Sequence, residues 1–244
     1  MKKLYFGLIS FLLINLTINA QQVRFGVKAG VTLADAAIKE TGLTDYDGTR
    51  LRVAPNIGGY VEIKLLDFLY VQPNLMFIGK GYKKHSGEDI EKFTPSYLEM
   101  PIYLMLKLPL GDVNVFGGVG PYVAYGLTGK WSRTFIRIND SLGNVPFDGN
   151  SYKIWGDPDV DDYLKRFDAG ASLTLGVQLN NFSLSAQYDY GMVNVGNFKF
   201  DELKTENIWH NRTLSFSVGY QFGRESRVKD IGVTRKKNNY KRRR

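Results

Sequence analysis

Apolar and polar residues alternate along residues 97–108, and this alternation predicts a β-strand with two distinct faces. The even positions hold only Leu, Met and Ile, whereas the odd positions include Glu99, Lys107 and two tyrosines. A strand of this length with one wholly apolar face is typical of a tilted segment that crosses a lipid bilayer. If that face meets lipid, other segments of the chain should repeat the pattern.

The alternation recurs in seven further segments, which we predict as strands over residues 24–34, 52–65, 69–80, 113–127, 167–179, 182–190 and 213–222. Short connections are expected at residues 66–67, 109–112 and 180–181. The long connections are polar or irregular segments over residues 35–50, 83–94, 128–166 and 194–211. Short periplasmic turns and long extracellular loops are typical of transmembrane barrels. The pattern therefore predicts an all-β fold, an eight-stranded antiparallel up-and-down transmembrane β-barrel with both termini in the periplasm.

The same alternation also fits a soluble barrel with an apolar lumen, as in lipocalins, so the outward face has to be identified. The apolar face carries almost no charge, whereas the other face is rich in Gly, Ser, Thr, Gln and Tyr. Aromatic residues stand at the strand ends of the apolar face, as in interfacial girdles: Phe25, Phe77, Tyr125, Phe182, Tyr190, Tyr220 and Phe222. We therefore expect the apolar face to contact lipid.

Charged residues of both signs fall on the polar face, which the membrane interpretation turns toward the lumen. This lumen charge network comprises Arg24, Lys28, Arg52, Glu62, Lys64, Glu99, Lys107, Asp168 and Asp189. Eight strands enclose an interior just wide enough for side chains to fill. We therefore predict a plugged lumen of mutually paired ions and phenols, in preference to a conduction path.

The two ends of the chain differ from the predicted barrel, which occupies residues 21–222. Lys2 and Lys3 precede an apolar run that ends in Ala20, so residues 1–20 are predicted to be a signal peptide. The net charge is +8, and residues 224–244 contain ten basic and two acidic residues. The rest of the chain is near neutral, which argues against a nucleic-acid partner. Residues 223–244 are expected to be a disordered periplasmic tail that contacts peptidoglycan or an envelope protein, or is merely solvated.

Residues with catalytic or metal-binding chemistry are scarce. The chain has no cysteine and two histidines, so we predict no catalytic residue, no cofactor and no metal site. An envelope hydrolase would need a cluster that includes His210 and Ser151, but no spacing links them.

An acidic stretch imitates the spacing of a calcium-binding loop. Asp157, Asp159 and Asp161 alternate, and Asp168 follows eleven residues after the first. The glycine that such a loop requires is replaced by Asp162, so we interpret the stretch as a solvated acidic loop.

A second alternating stretch continues past the fifth strand and carries Trp131, Arg133, Phe135 and Arg137. Aromatic and arginine side chains are enriched where proteins bind partners. We interpret these residues as a possible loop binding surface, or as contacts to the phosphates of lipopolysaccharide. The alternative is that they only build the loop.

Several short motifs resemble one known family. They are Tyr-Leu-Glu-Met-Pro at residues 97–101 followed by Leu-Met-Leu-Lys at 104–107, Gly-Gly-Val-Gly-Pro-Tyr at 117–122, Asp-Ala-Gly at 168–170, and Gly-Tyr-Gln-Phe at 219–222. Over residues 23–222 the chain resembles the PorT-type outer-membrane β-barrel family of Bacteroidetes. The resemblance implies a cell outer membrane location, contact with outer-membrane lipid and lipopolysaccharide, and insertion by the barrel-insertion machinery, which reads the terminal aromatic.

Two functions stay open at this point. The first is a small non-enzymatic barrel that acts as a structural or interaction protein through its extracellular loops. The second is an accessory role in protein secretion or transport across the outer membrane, which the resemblance implies because the member that gives the family its name is linked to secretion.

Overall fold

The computed structural model describes residues 23–39, 49–86, 89–139, 143–147, 151–155, 164–196 and 208–223. Fourteen strands lie within these ranges: β1 (Val23–Lys39), β2 (Thr49–Arg50), β3 (Arg52–Lys64), β4 (Leu69–Gly79), β5 (Lys83–Ser86), β6 (Asp89–Phe93), β7 (Ser96–Leu110), β8 (Val113–Thr128), β9 (Lys130–Asn139), β10 (Gly143–Phe147), β11 (Ser151–Lys153), β12 (Phe167–Leu179), β13 (Phe182–Gly191) and β14 (Ile208–Phe222). Among these residues, no helix has the length and apolar character to cross a membrane.

Eight of the strands close into an antiparallel barrel in the order β1-β14-β13-β12-β8-β7-β4-β3. The first and last strands complete the ring, with Phe25 paired to Phe222 at one end and Lys39 paired to Ile208 at the other. Every other neighbouring pair is consecutive among the barrel strands, so the chain runs up and down around the wall. The predicted eight-stranded antiparallel barrel is confirmed.

The alternation along each strand separates a buried face from an exposed one. On β7, Tyr97 and Tyr103 are 0 % exposed, whereas Leu104 and Leu108 are 50 % and 57 % exposed. The outward apolar side chains of all eight strands form a continuous surface that we call the apolar belt. The lipocalin-like alternative is therefore wrong, because the polar face is the one that lines the lumen.

Short turns join the strands at one end of the barrel, which we call the turn end. Asn180 adopts a φ of 53° between β12 and β13, and Gly111 a φ of 66° between β7 and β8. This left-handed region suits glycine and asparagine, which explains how two residues reverse the chain at each of these turns. The long connections all leave from the opposite end, which we call the loop end.

A second sheet stands outside the barrel and is built from the loop-end connections, in the order β10-β9-β6-β5-β2 with β11 also paired to β9. We call these six strands the loop sheet. Residue Trp131 of β9 pairs with Phe93 of β6, and Phe135 pairs with Asp89. The prediction of an irregular segment over residues 128–166 was wrong where β10 and β11 form, whereas the alternating stretch past the fifth predicted strand lies in β9. The segment predicted only as polar over residues 83–94 contains β5 and β6.

Two barrel strands also run further than predicted, because β1 continues to Lys39 and β14 begins at Ile208. The alternation of apolar and polar side chains stops before these extensions, but the backbone pairing between β1 and β14 continues through them. The two strands hydrogen-bond to each other over this extension, so their polar backbone groups are satisfied outside the apolar belt.

Candidate functional site

A buried ion cluster lies near the loop end of the lumen. Lys80 follows β4 directly, and its Nζ lies 2.7 Å from Glu99 Oε2 and 2.9 Å from Asp168 Oδ2. All three side chains are fully buried. Tyr122 donates a hydrogen bond of 3.3 Å to Asp168 Oδ2, and Asn211 donates one of 3.0 Å to the same atom. One cation thus holds two carboxylates from β7 and β12, two strands that are separated in the wall by β8.

The middle of the lumen is organised around Asp189 on β13. Thr213 donates a hydrogen bond of 2.7 Å to Asp189 Oδ2, and Gln187 Nε2 lies 3.0 and 3.1 Å from the two carboxylate oxygens. Ser172 donates to Oδ1 of the same carboxylate, and Tyr103 shares a hydrogen bond of 2.7 Å with Ser172. Hydroxyl and amide donors therefore surround this carboxylate.

A second ion cluster lies near the turn end, around the fully buried Glu62. Arg24 Nη2 lies 2.6 Å from Glu62 Oε1, and Lys107 forms an ion pair with Oε2. Gln221 and Gln72 donate to the same carboxylate at 3.2 and 3.4 Å. Here two cations share one carboxylate, which is the reverse of the arrangement at the loop end.

Two other predicted lumen residues occupy more isolated positions. Lys28 lies on the lumen face of β1 and donates a hydrogen bond of 3.3 Å to Gln187 Oε1. Lys64 lies at the turn-end mouth, where its Nζ contacts Oδ1 of the exposed Asp67 at 2.7 Å. Lys64 is therefore a rim residue, whereas Lys28 faces the interior.

Lys80 is the residue that the predicted charge network omits. Its even number places it on the lumen face of β4, in line with the buried Met76 and Ile78, so the alternation contained a signal for it. The side chain of the predicted network residue Arg52 donates to the carbonyl oxygen of Lys80. The ammonium also lies 4.5 Å from the ring centroid of Tyr122.

Aromatic side chains cover the loop-end ion cluster. Tyr82 and Phe93 stack with ring centroids 5.5 Å apart, and Trp209 lies 5.1 Å from each of them. The Trp155 ring meets Tyr97 edge-on at 5.5 Å. We call this group the aromatic cap, and it comprises Tyr82, Phe93, Trp131, Trp155 and Trp209.

The predicted loop binding surface divides between two environments. Trp131 is half buried and stacks on Phe93 at 5.8 Å, so it belongs to the aromatic cap. Arg133, Phe135 and Arg137 lie in β9 of the loop sheet, and their side chains are outside the described residues.

The candidate metal and catalytic residues are not brought together. Residues 157–162 lie outside the described part of the chain, and Asp168 points into the lumen. Within the described ranges, no group of three or more His, Asp or Glu side chains could hold a metal ion. His210 is on the outward face of β14, next to the inward Trp209 and Asn211, and Ser151 begins β11 of the loop sheet.

Three solved structures are similar to this chain. The attachment invasion locus protein Ail of Yersinia pestis is 15 % identical, with 82 % of this chain and 99 % of that chain covered at a TM-score of 0.38. Neisserial surface protein A is 12 % identical, with 80 % and 96 % covered at 0.39, and OprG of Pseudomonas aeruginosa is 13 % identical, with 82 % and 96 % covered at 0.43. No curated protein is significantly similar in sequence.

A family match covers most of the chain. Residues 19–197 match the outer membrane protein beta-barrel domain, and this range includes seven of the eight barrel strands. The closed barrel, the apolar belt and the polar lumen are the features that such a domain requires in the outer membrane. The chain therefore belongs to the outer membrane protein beta-barrel domain family.

Proposed function

We propose that this outer-membrane barrel is a non-enzymatic structural or interaction protein that binds its partners through the loop sheet. The observation that carries the proposal is the pairing of six strands into a sheet outside the barrel. Binding residues are often carried by loops that a rigid scaffold holds in place. Loops that pair as a sheet present such a surface without having to order themselves when a partner binds.

The lumen supports an interaction role over a transport role. Lys80, Glu99 and Asp168 bridge the interior near the loop end, and the aromatic cap packs over them. Glu62 forms ion pairs with both Arg24 and Lys107 near the turn end. A solute passing through the barrel would have to separate both buried clusters, which is costly because each would leave an uncompensated charge.

The proposal includes an arrangement of the whole chain in the cell envelope. Residues 1–20 act as a signal peptide, residues 21–222 form the barrel, and residues 223–244 form a basic tail. Both termini lie in the periplasm, since an even number of strands returns the chain to the side from which it entered. The motif resemblance supports membership of the PorT-type branch found in Bacteroidetes.

The proposed partners follow from these positions. The apolar belt contacts outer-membrane lipid, and the loop-end rim contacts lipopolysaccharide. The barrel-insertion machinery reads the aromatic residues at the end of β14. The basic tail contacts peptidoglycan carboxylates or an acidic periplasmic or envelope protein.

Photo-crosslinking in intact cells tests the proposal. A photoreactive residue is placed at Arg137 in the loop sheet, at Tyr240 in the tail, or at Leu104 in the apolar belt. We expect discrete protein or lipopolysaccharide adducts from position 137, and only lipid adducts from the matched position 104. Adducts to a secretion component that form from position 240 and not from 137 would favour the accessory function instead.

A further inference from the structure

The lumen charges are unevenly distributed along the barrel axis. In the turn-end half, Arg24 and Lys107 share the single carboxylate of Glu62, and Lys28 lies further along the lumen, where it donates to Gln187. Lys64 adds nothing to this balance, because it pairs with its neighbour in the β3–β4 turn at the mouth. The turn-end half therefore carries an excess of positive charge.

The rest of the lumen is nearly balanced. Glu99 and Asp168 pair with Lys80 close to Arg52, and Asp189 and Glu99 act on the charge of Lys28. The five cations among the described lumen residues therefore exceed the four carboxylates by one positive charge, which falls in the turn-end half. An ion from outside the chain is the simplest way to balance the turn-end half, because unpaired charge inside a protein is costly.

A cavity lies in the positively charged half of the lumen. Its volume is about 20 Å³, and its lining includes Lys28, Gln72, Lys107, Thr174, Gln178 and Ser183. This volume exceeds the roughly 10–15 Å³ that one water molecule needs. A single halide ion fits within this space.

Hydrogen-bond donors in the cavity remain available for a ligand. Lys28 donates one long hydrogen bond to Gln187, and the carboxylates of Asp189 and Glu99 act on its charge from beyond ion-pair distance. An ammonium group has three donors, so two of those on Lys28 can turn toward the cavity. Lys107, on the opposite wall, is tied to Glu62 and Gln178 and contributes a second positive charge nearby.

We propose that this cavity is a binding site for a monovalent inorganic anion of the size of chloride, held by Lys28 and stabilised by the charge of Lys107. The site goes beyond the interaction function proposed above and is independent of it. The bound anion neutralises positive charge inside the lumen, as Glu99 and Asp168 neutralise the charge of Lys80 near the loop end.

Bromide substitution tests the site directly on the full chain. Crystals of the refolded barrel are grown in sodium bromide, and data are collected at the bromine absorption edge. We expect one anomalous peak in the cavity between the ammonium groups of Lys28 and Lys107. A cavity that shows only water density and no anomalous signal would overturn the proposal.

Thermal unfolding gives a second test that needs no crystals. The unfolding midpoint, followed by the shift in gel migration between folded and unfolded barrel, is compared in sodium chloride and sodium gluconate at equal ionic strength. We expect chloride at ten times its dissociation constant to raise the midpoint by about 4 °C. Equal midpoints in the two salts would contradict the proposal.

Three variants separate the site from general salt effects. Lys28→Gln should lose the chloride response, whereas the matched control Lys64→Gln at the mouth should keep it. Ser183→Asp places a fixed carboxylate in the cavity and should make stability in gluconate equal to that of the parent protein in chloride. If Lys28→Gln does not fold, the stability of the Ser183→Asp variant and the bromide peak still test whether the cavity binds an anion.

Discussion

At the scale of single residues, Lys80 links two carboxylates of the lumen. It contacts Glu99 and Asp168, which come from β7 and β12, and it is wholly removed from solvent. Breaking a buried ion pair costs far more than an exposed pair contributes, because the remaining charges stay buried without compensation. The same reasoning makes the rim pair between Lys64 and Asp67 a suitable comparison.

We predict that Lys80→Met lowers the free energy of unfolding by about 3–5 kcal/mol, because it leaves two buried carboxylates without their cation. Urea unfolding of the barrel in detergent, followed by tryptophan fluorescence, measures this loss. The control Lys64→Met should lower the free energy of unfolding by less than about 1 kcal/mol.

Adding Glu99→Gln and Asp168→Asn to Lys80→Met should restore much of the lost stability. Equal effects of the Lys80 and Lys64 substitutions would mean that water enters the lumen and screens the cluster, contrary to this prediction.

At the scale of elements, the turn between β12 and β13 also fastens the end of β14. Asn180 has a φ of 53°, and the side-chain amide of Asn181 donates to the carbonyl oxygens of Gln221 at 2.6 Å and Gly223 at 2.9 Å. The left-handed conformation costs most residues about 1–2 kcal/mol but is readily adopted by asparagine and glycine. This turn therefore sets the register of a hairpin and holds the closing strand.

We predict that Asn180→Val lowers the free energy of unfolding by about 1–2 kcal/mol, since a β-branched residue resists the left-handed conformation. Asn180→Gly should leave the stability nearly unchanged, because glycine accepts the same dihedral angles. Urea unfolding of the two variants checks the difference. A Gly variant as unstable as the Val variant would show that the Asn180 side chain, and not its backbone conformation, is what matters.

At the scale of the whole molecule, the barrel consists of an apolar outer surface, a polar filled lumen and a loop end covered by packed aromatic rings. The two buried ion clusters and the aromatic cap are stacked along the barrel axis. A small cavity lies in the lumen beside Lys28 and Lys107. The filled barrel is therefore a rigid scaffold that holds the loop sheet above the membrane.

We predict that the folded protein forms no discrete conductance steps when it is reconstituted in planar lipid bilayers. The shift in gel migration between heated and unheated samples verifies that the reconstituted barrel is folded, and a general porin in the same bilayers verifies the sensitivity. Stable stepwise currents from the folded barrel would contradict the filled lumen and bring back a transport role.

The sequence by itself determined the wall of this barrel. Strict alternation in eight segments was sufficient to predict the strand number and the turn-end connections, because a period of two sorts every side chain to one face or the other. The scarcity of charge on the apolar face then identified the polar face as the lumen face. For this reason Arg24, Glu62 and Lys107 could be placed in the lumen before their contacts were known. The clean apolar face likewise indicated the membrane.

Only the tertiary structure decided which lumen residues meet and how the loops are built. Lys80 and Asp168 are 88 positions apart in the chain, and closure of the barrel brings them together across the lumen. The strands of the loop sheet are short and lie outside the membrane, so no lipid imposes a regular alternation on them. Strands of the loop sheet pair with strands that are distant in sequence, as β6 does with β9. The local order of apolar and polar residues does not predict such pairs.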